Sequence, residues 1–354
     1  MLEPLLLKNP DGPHPTGKNL CFSNAVVQLL RHNLHFQQHV IFKRSSDNNV
    51  FNELYRILRH QGTTTLASCA NLRRIIGMTV GNDDLWSGNQ QDAVEFLTFL
   101  LNNLDEECKQ IFFFHARVET KFFLFGEASS CQHCKRFPSI HTQPQCILEI
   151  SFPSGTPSTG FFELEILLQR YFETKYSDDG EGLKCSNCCR RGEVPSHVCD
   201  FKCKPKPYQN ETKVIQFATC LLIQLVRFKN NGQSKIDTVV RCEDRLQISN
   251  TSFKLTGIVN HDGSLQNGHY TTLLKKEDIW YECNDTSLPR RLNGGVFSKK
   301  NYVFLLEKVD DDIFVQPQIS LPQLPIPPIT GPSRSNKKLP PSSPPPHEIN
   351  EKND

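Results

Sequence analysis

A change in the spacing of apolar residues constrains this chain more than any other feature. Between residues 21 and 40, Phe22, Ala25, Val26, Leu29 and Leu30 recur at three-and-four spacing. Residues 90 to 104 repeat the pattern with Ala93, Val94, Leu97, Leu100, Leu101 and Leu104. Both stretches predict helices. Shorter apolar patterns within 48 to 77, bounded by Gly62 and Gly77, extend the helical reading over the first third. In the second half this period is lost. "CLLIQLVRF", "FKLTGIVNH", "HYTTLLKK", "IWYEC" and "NYVFLLEK" are short β-branched or aromatic runs between turn-prone residues, and they predict an antiparallel sheet. There is no internal repeat. A helical lobe followed by a sheet is an α+β arrangement, with a site expected in the cleft between them.

From about residue 309 the chain turns rich in Pro and Ser and cannot supply a core. Its segments "LPQLPIPP" and "LPPSSPPP" suit either a plain extended linker or SH3- and WW-type partners. The remaining length is enough for one large domain or two ordinary ones. Forty basic and 38 acidic residues leave a formal net charge of +2, which provides no field for gathering phosphate backbones and excludes nucleic acid as a default partner. No run reaches the roughly 18 apolar residues of a bilayer span, so no membrane role is expected. The first ten residues do not read as a secretory signal, so the 14 cysteines are expected to be reduced in the cytoplasm or nucleus. They then need metal, catalysis or burial as their explanation.

Cys21 poses that choice most sharply. With Asn19 as the expected N-cap, Cys21 falls in the first helical turn, where free amide donors and the positive end of the helix dipole favour a thiolate. The alternative is a buried structural cysteine. "GSLQNGHYTTLLKKEDIWYECNDTS" supplies a partner. His269 opens a strand, a turn falls at Lys276 to Asp278, and the return strand leads into Asn284 and Asp285. With a three-residue loop His269 faces Asp285; a bulge would bring Asn284 opposite instead. Either side chain accepts a ring N–H and leaves the other nitrogen for a thiol.

These segments resemble those of the ubiquitin-specific proteases, papain-like cysteine deubiquitinases. The cysteine box is matched by Asn19, Cys21, Phe22, Asn24, Ala25, Gln28 and Leu30. The histidine box is matched by His261, Gly263, Ser264, Gly268, His269, Tyr270 and Thr271, then Trp280, Asn284 and Asp285. "NQQDAVEFLTFLL" and "CLLIQLVRF" match the blocks between, and the likeness covers residues 12 to 308. It implies a papain-like fold with a helical thumb (about 12–120), zinc-ribbon-like fingers (about 121–212) and a β-rich palm (about 213–308). It implies Cys21 as nucleophile, His269 as general base and Asn284 as the residue orienting it, with Asp285 as the rival. It also places Gln91, Asp92, Glu95, His261 and Tyr270 at the substrate, where acidic groups receive the basic tail of ubiquitin.

One departure bears on rate. The family usually carries an asparagine five residues before the cysteine to hold the oxyanion, and Thr16 stands there, with Lys18 in place of a glycine. Asn19, Thr16 or the Cys21 N–H must then stand in. "CQHC" at 131–134 and "CSNC" at 185–188 each offer two thiolates to one tetrahedral ion. Spacing alone leaves unligated cysteines open, and Cys189, Cys199 and Cys203 lie close by. The resemblance implies that Cys131, Cys134, Cys185 and Cys188 hold a structural zinc. The expected activity is thiol-dependent hydrolysis after the terminal glycine of ubiquitin, with an inactive ubiquitin-binding scaffold or a protease for SUMO or another ubiquitin-like protein as alternatives.

Overall fold

The computed structural model describes residues 4–9, 19–42, 47–60, 67–85, 87–124, 127–129, 139–157, 160–176, 208–229, 234–264 and 267–309. The first third is helical: α1 (Cys21–His32), α2 (Leu34–Phe42), α3 (Asn49–Leu58), α4 (Ala70–Val80), α5 (Ala93–Asn102) and α6 (Glu106–Phe112), with a 3-10 turn at Asp83–Leu85. The single helix expected over 21–40 is broken at Asn33, whose backbone is extended (ψ 118°). Its Oδ1 accepts the Phe36 N–H at 2.8 Å, and Nδ2 donates to Glu307 at 2.6 Å. One short polar side chain thus ends α1 and caps α2, a choice apolar periodicity does not register.

The strands follow in chain order: β1 (Phe114–Leu124), β2 (Glu127–Ser129), β3 (Ser139–Gln145), β4 (Ile147–Ser151), β5 (Phe161–Glu163), β6 (Lys175–Tyr176), β7 (Tyr208–Gln216), β8 (Cys220–Val226), β9 (Phe228–Lys229), β10 (Ser234–Lys235), β11 (Val239–Arg241), β12 (Arg245–Ile248), β13 (Thr251–Gly263), β14 (Gly268–Lys276), β15 (Ile279–Cys283), β16 (Arg290–Arg291) and β17 (Asn301–Lys308). Helix α7 (Leu164–Phe172) lies between β5 and β6. The larger sheet runs β16-β15-β14-β13-β17-β8-β4 with β12 on β13, and the five predicted runs supply its central members. The smaller runs β2-β1-β7-β6 with β3 on β1.

The expected block at 121–212 does not stay together. β4 leaves it to pair with β8, parallel within an otherwise antiparallel sheet, and α7 packs on that sheet's outer face. Leu221, Ile223 and Leu225 of β8 meet α7 there, while Cys220 and Leu222 face the helical lobe. Burial on both faces accounts for the apolar run Cys220–Ile223 that opens β8.

Helix α1 is the joint between lobe and sheet, and all twelve of its residues are buried. Leu29 approaches the sheet so closely at Gly257 that a Cβ there would stand 2.6 Å from its Cδ1. The polar residues of α1 are matched one by one. Asn24 donates to Lys8 O, Gln28 to Leu5 O, Arg31 to Leu58 O, and the His32 ring bonds Lys275 O. Thr272 of β14 donates to Ala25 O at 2.9 Å. Each bond offsets the cost of burying a polar group and ties α1 to the N-terminal segment, to α3 and to β14.

Candidate active site

Cys21 is the first residue of α1. Leu20, not Asn19, takes the cap position, and no side chain caps this helix. Asn19 stands one place earlier, in the left-handed region (φ 51°), which asparagine tolerates better than most residues. Its Nδ2 donates to Gly88 O at 2.8 Å, so that amide is engaged away from the sulfur. The Asn24 N–H bonds Leu20 O, whereas the N–H groups of Cys21, Phe22 and Ser23 precede any acceptor within the helix. Donor-rich backbone therefore surrounds a thiol that is 2% exposed. Elsewhere burial pushes the Cys146 thiol up to about 11 and those of Cys242 and Cys283 up to about 12, as befits inert structural cysteines.

The β14–β15 hairpin brings His269 to this thiol. Thr272 pairs with Cys283 and Lys276 with Ile279, which leaves a two-residue turn in place of the expected three. Glu277 (φ 49°) and Asp278 (φ 64°) make that turn, both left-handed, a conformation more often signalled by Asn-Gly than by Glu-Asp. Asn284 follows the last paired residue, and its Oδ1 lies 2.8 Å from His269 Nε2. The Nε2–H donates there, leaving Nδ1 for the thiol. The Cys21–His269 hydrogen bond, aided by Asn284 and opposed by burial, raises His269 to about 9.

Asp285 turns away from this bond. It adopts φ 43°, and its carboxylate accepts Asn24 Nδ2 at 2.8 Å and Asn9 Nδ2 at 2.7 Å, while its carbonyl accepts the Leu7 N–H. It ties the N-terminal segment to α1. Thr16 and the cysteines Cys131, Cys134, Cys185 and Cys188 lie outside the described residues.

A second wall approaches the sulfur from the other side. Gln90 sets its Nε2 3.6 Å and its Oε1 3.8 Å from Cys21 Sγ. The segment carrying it is held by Arg73 of α4, fully buried, which donates to Leu85 O and, at 2.9 Å, to Asn89 O. The guanidinium stands 5.0 Å from the ring of Phe22, next to the nucleophile. Burial lowers Arg73 to about 10, which leaves it charged at neutral pH. Neither Gln90 nor Arg73 is among the residues that the sequence places at the site. The doubled glutamine was the available signal, and it drew attention to Gln91, whose amide bonds Asp84 O.

Asp92 caps α5: its Oδ1 accepts the N–H of Val94 and Glu95, and its Oδ2 accepts the hydroxyls of Tyr302 at 2.7 Å and Tyr270 at 3.3 Å. Asp92, Glu95 and Glu149 line a cleft of about 480 Å³ with Gln224 and Tyr302. Burial and the neighbouring Asp92 and Asp84 push Glu95 above the usual carboxylate range. Two residues expected at the substrate are buried supports instead. Tyr270 is 2% exposed beneath Asp92. His261 is wholly buried among the rings of Phe228, Tyr270 and Tyr302, and burial, then Lys235, lowers it to about 4 so that it stays neutral. Among the described residues, His39, Asp105 and Cys108 bring one potential metal ligand each within 4.8 Å of one another. That is one ligand fewer than a closed tetrahedral site needs.

The sequence profile of the ubiquitin carboxyl-terminal hydrolase family matches residues 16–305. The chain is 23% identical over 338 residues to the ubiquitin carboxyl-terminal hydrolase Usp2 of Drosophila melanogaster, covering 82% of this chain and 34% of that protein. It is 24% identical over 310 residues to ubiquitin carboxyl-terminal hydrolase 11 of Schizosaccharomyces pombe, covering 80% and 81%. The chain thus spans about a third of the fly relative. The fold is similar to that of the SAGA Ubp8/Sgf11/Sus1/Sgf73 module bound to ubiquitin aldehyde, with a TM-score of 0.62 at 18% identity over 87% of this chain and 70% of that one. This likeness establishes a papain-like α+β architecture.

Proposed function

Because this chain belongs to the ubiquitin carboxyl-terminal hydrolase family, we propose that it is a cysteine-type deubiquitinase cleaving the peptide or isopeptide bond after the C-terminal glycine of ubiquitin. The observation that carries this reading is the array of Cys21, His269 and Asn284. The Cys21 sulfur attacks the glycine carbonyl. His269, held protonated at neutral pH beside the sulfur, gives its proton to the departing amine and then accepts one from the water that hydrolyses the thioester. Asn284 holds the ring so that Nδ1 stays aimed at the sulfur. The cleft edged by Asp92, Glu95 and Glu149 suits the basic tail that precedes the scissile bond.

The test is an adduct. Ubiquitin carrying a thiol-reactive group at its C-terminus should label the protein, and Cys21→Ala should abolish labelling while retaining ubiquitin binding. Labelling by a SUMO probe alone would change the substrate. Binding of ubiquitin without any adduct would point to a scaffold.

A structural zinc on Cys131, Cys134, Cys185 and Cys188 belongs to the same proposal. Its support is topological. The connections that carry the two C-x-x-C pairs run from β2 to β3 and from β6 to β7. Ser129, Ser139, Tyr176 and Tyr208, which bound those connections, all stand at the level of Thr120–Phe122 of β1, one end of the smaller sheet. Thiolates brought together there would close the sheet end with a bound ion. Elemental analysis should find one zinc per chain, lost in Cys131→Ser/Cys185→Ser; a metal-free protein with unchanged folding would refute the assignment.

A further inference from the structure

We infer that the carboxamide of Gln90 is the side-chain donor that holds the oxyanion during acyl transfer at Cys21. The inference rests on the reading of Cys21 as the nucleophile and adds a catalytic residue to it. When the sulfur adds to a carbonyl, a C–S bond forms and the π pair of the C=O moves onto oxygen. The charge collapses as the C–N bond breaks and the amine leaves with the His269 proton. Donors aimed at that oxygen before it becomes charged lower the barrier, and they must stand beside the sulfur, because the oxygen is borne by the carbon that the sulfur attacks.

The polar side chains around Cys21 can be assigned in turn. Asn19 is committed to Gly88 O, Asn24 to Lys8 O and Asp285, and Asn284 to His269. Gln90 alone among the described side-chain amides hydrogen-bonds the sulfur. Both ends of its carboxamide are in range of the sulfur, and Nε2, the nearer, is a donor for the oxyanion formed beside it. The backbone N–H of Cys21, with no acceptor inside its helix, is a second donor on the same residue as the nucleophile.

The donor is also held before reaction. Arg73 donates to Leu85 O and Asn89 O, Asn19 to Gly88 O and Gln91 to Asp84 O, while Asp92 fixes the start of α5. The backbone on both sides of Gln90 is therefore pinned, and the site needs no rearrangement to present the amide. Arg73 acts here as a positioning residue.

The decisive experiment compares Gln90→Met, which keeps side-chain length and neutrality but removes the donor, with wild type in two reactions. Hydrolysis of a ubiquitin C-terminal amide and of p-nitrophenyl acetate both pass through an oxyanion. Alkylation of Cys21 by iodoacetamide does not. On the ubiquitin amide, kcat should fall by about 100-fold or more with little change in KM. Ester hydrolysis should fall in the same sense, and the alkylation rate should stay within a few-fold of wild type. A kcat within a few-fold of wild type, or a parallel fall in alkylation, would overturn the assignment. If wild type turns over the ester through Cys21 but no ubiquitin substrate, the substrate reading fails while Gln90 is still judged on the ester. If Cys21 performs no acyl transfer, both fail.

Discussion

Cys21 sits between two walls built in different ways. On one side, the β14–β15 hairpin presents His269 and Asn284 from a backbone ladder whose register is set by five consecutive residue pairs. On the other, the segment around Gln90 is fastened by side chains donating to Leu85 O, Gly88 O and Asn89 O, and by Gln91 donating to Asp84 O. The first wall is rigid because its neighbours in sequence are hydrogen-bonded to each other. The second depends on a few separate bonds, two of them from one buried guanidinium. A substitution in the hairpin should therefore disturb chemistry with little loss of fold, whereas one beneath the second wall should disturb both.

The largest effect is expected at the hairpin. His269→Ala should lower kcat by about 10⁴-fold or more, since proton transfer to the leaving amine is lost. Above pH 9, where the histidine is neutral and its charge adds no stability, the midpoint of urea unfolding should stay close to wild type, because the backbone ladder does not depend on this side chain. A collapse of stability in this variant at that pH would show that the hairpin leans on the His269 side chain and would erase the contrast.

Arg73→Met should give a smaller kinetic loss and a larger structural one. The buried carbonyl of Leu85 and the part-buried carbonyl of Asn89 lose their donor. With one buried carbonyl left unsatisfied, the protein should lose about 1–3 kcal/mol of unfolding free energy. The rate should drop by about 10- to 100-fold as Gln90 drifts from the sulfur. Urea melts and steady-state kinetics on one preparation measure both. Unchanged stability with a large fall in kcat would mean that Arg73 acts on the thiolate directly.

The same contrast explains what the sequence disclosed. Cys21 and His269 stood out because local patterns carry them: a helix start, and a hairpin whose spacing left Asp285, or with a bulge Asn284, opposite the histidine. The runs that form β8, β13, β14, β15 and β17 were legible because burial imposes its pattern along each strand. Tertiary choices were not. Asn33 ends α1 by bonding to Glu307, 274 positions away, and nothing near residue 33 announces it. The polar residues of α1 are buried against partners drawn from other segments, which its apolar spacing does not announce. β4 joins the larger sheet by a parallel pairing that no hairpin spacing foreshadows. His261 and Tyr270 sit in a motif that suggests contact with substrate, yet they support it from below. Gln90 and Arg73 stayed hidden because a donor to a carbonyl many residues away has no signature in composition or period.

The smallest expected effect is also the most selective, because it separates the walls by what each touches. His269 is raised to about 9 chiefly by its hydrogen bond to Cys21, with Asn284 assisting and burial opposing. Removing the thiol in Cys21→Ala deletes the leading cause, so the His269 midpoint should fall from about 9 toward the ordinary histidine value near 6.5. The sign for stability follows from linkage. A histidine raised in the folded state stabilises it fully below pH 6.5, and that contribution is lost as pH rises through about 9. The His269 contribution should therefore favour wild type over Cys21→Ala below pH 6.5 and vanish above pH 9. Following the imidazole carbon protons by NMR from acid to alkaline pH reads the midpoint directly. Gln90→Met should leave it in place, since Gln90 touches the sulfur and not the ring. Equal midpoints in wild type and Cys21→Ala would mean that the thiol does not hold the imidazole, whereas a shift in Gln90→Met would mean that the two walls act on His269 together.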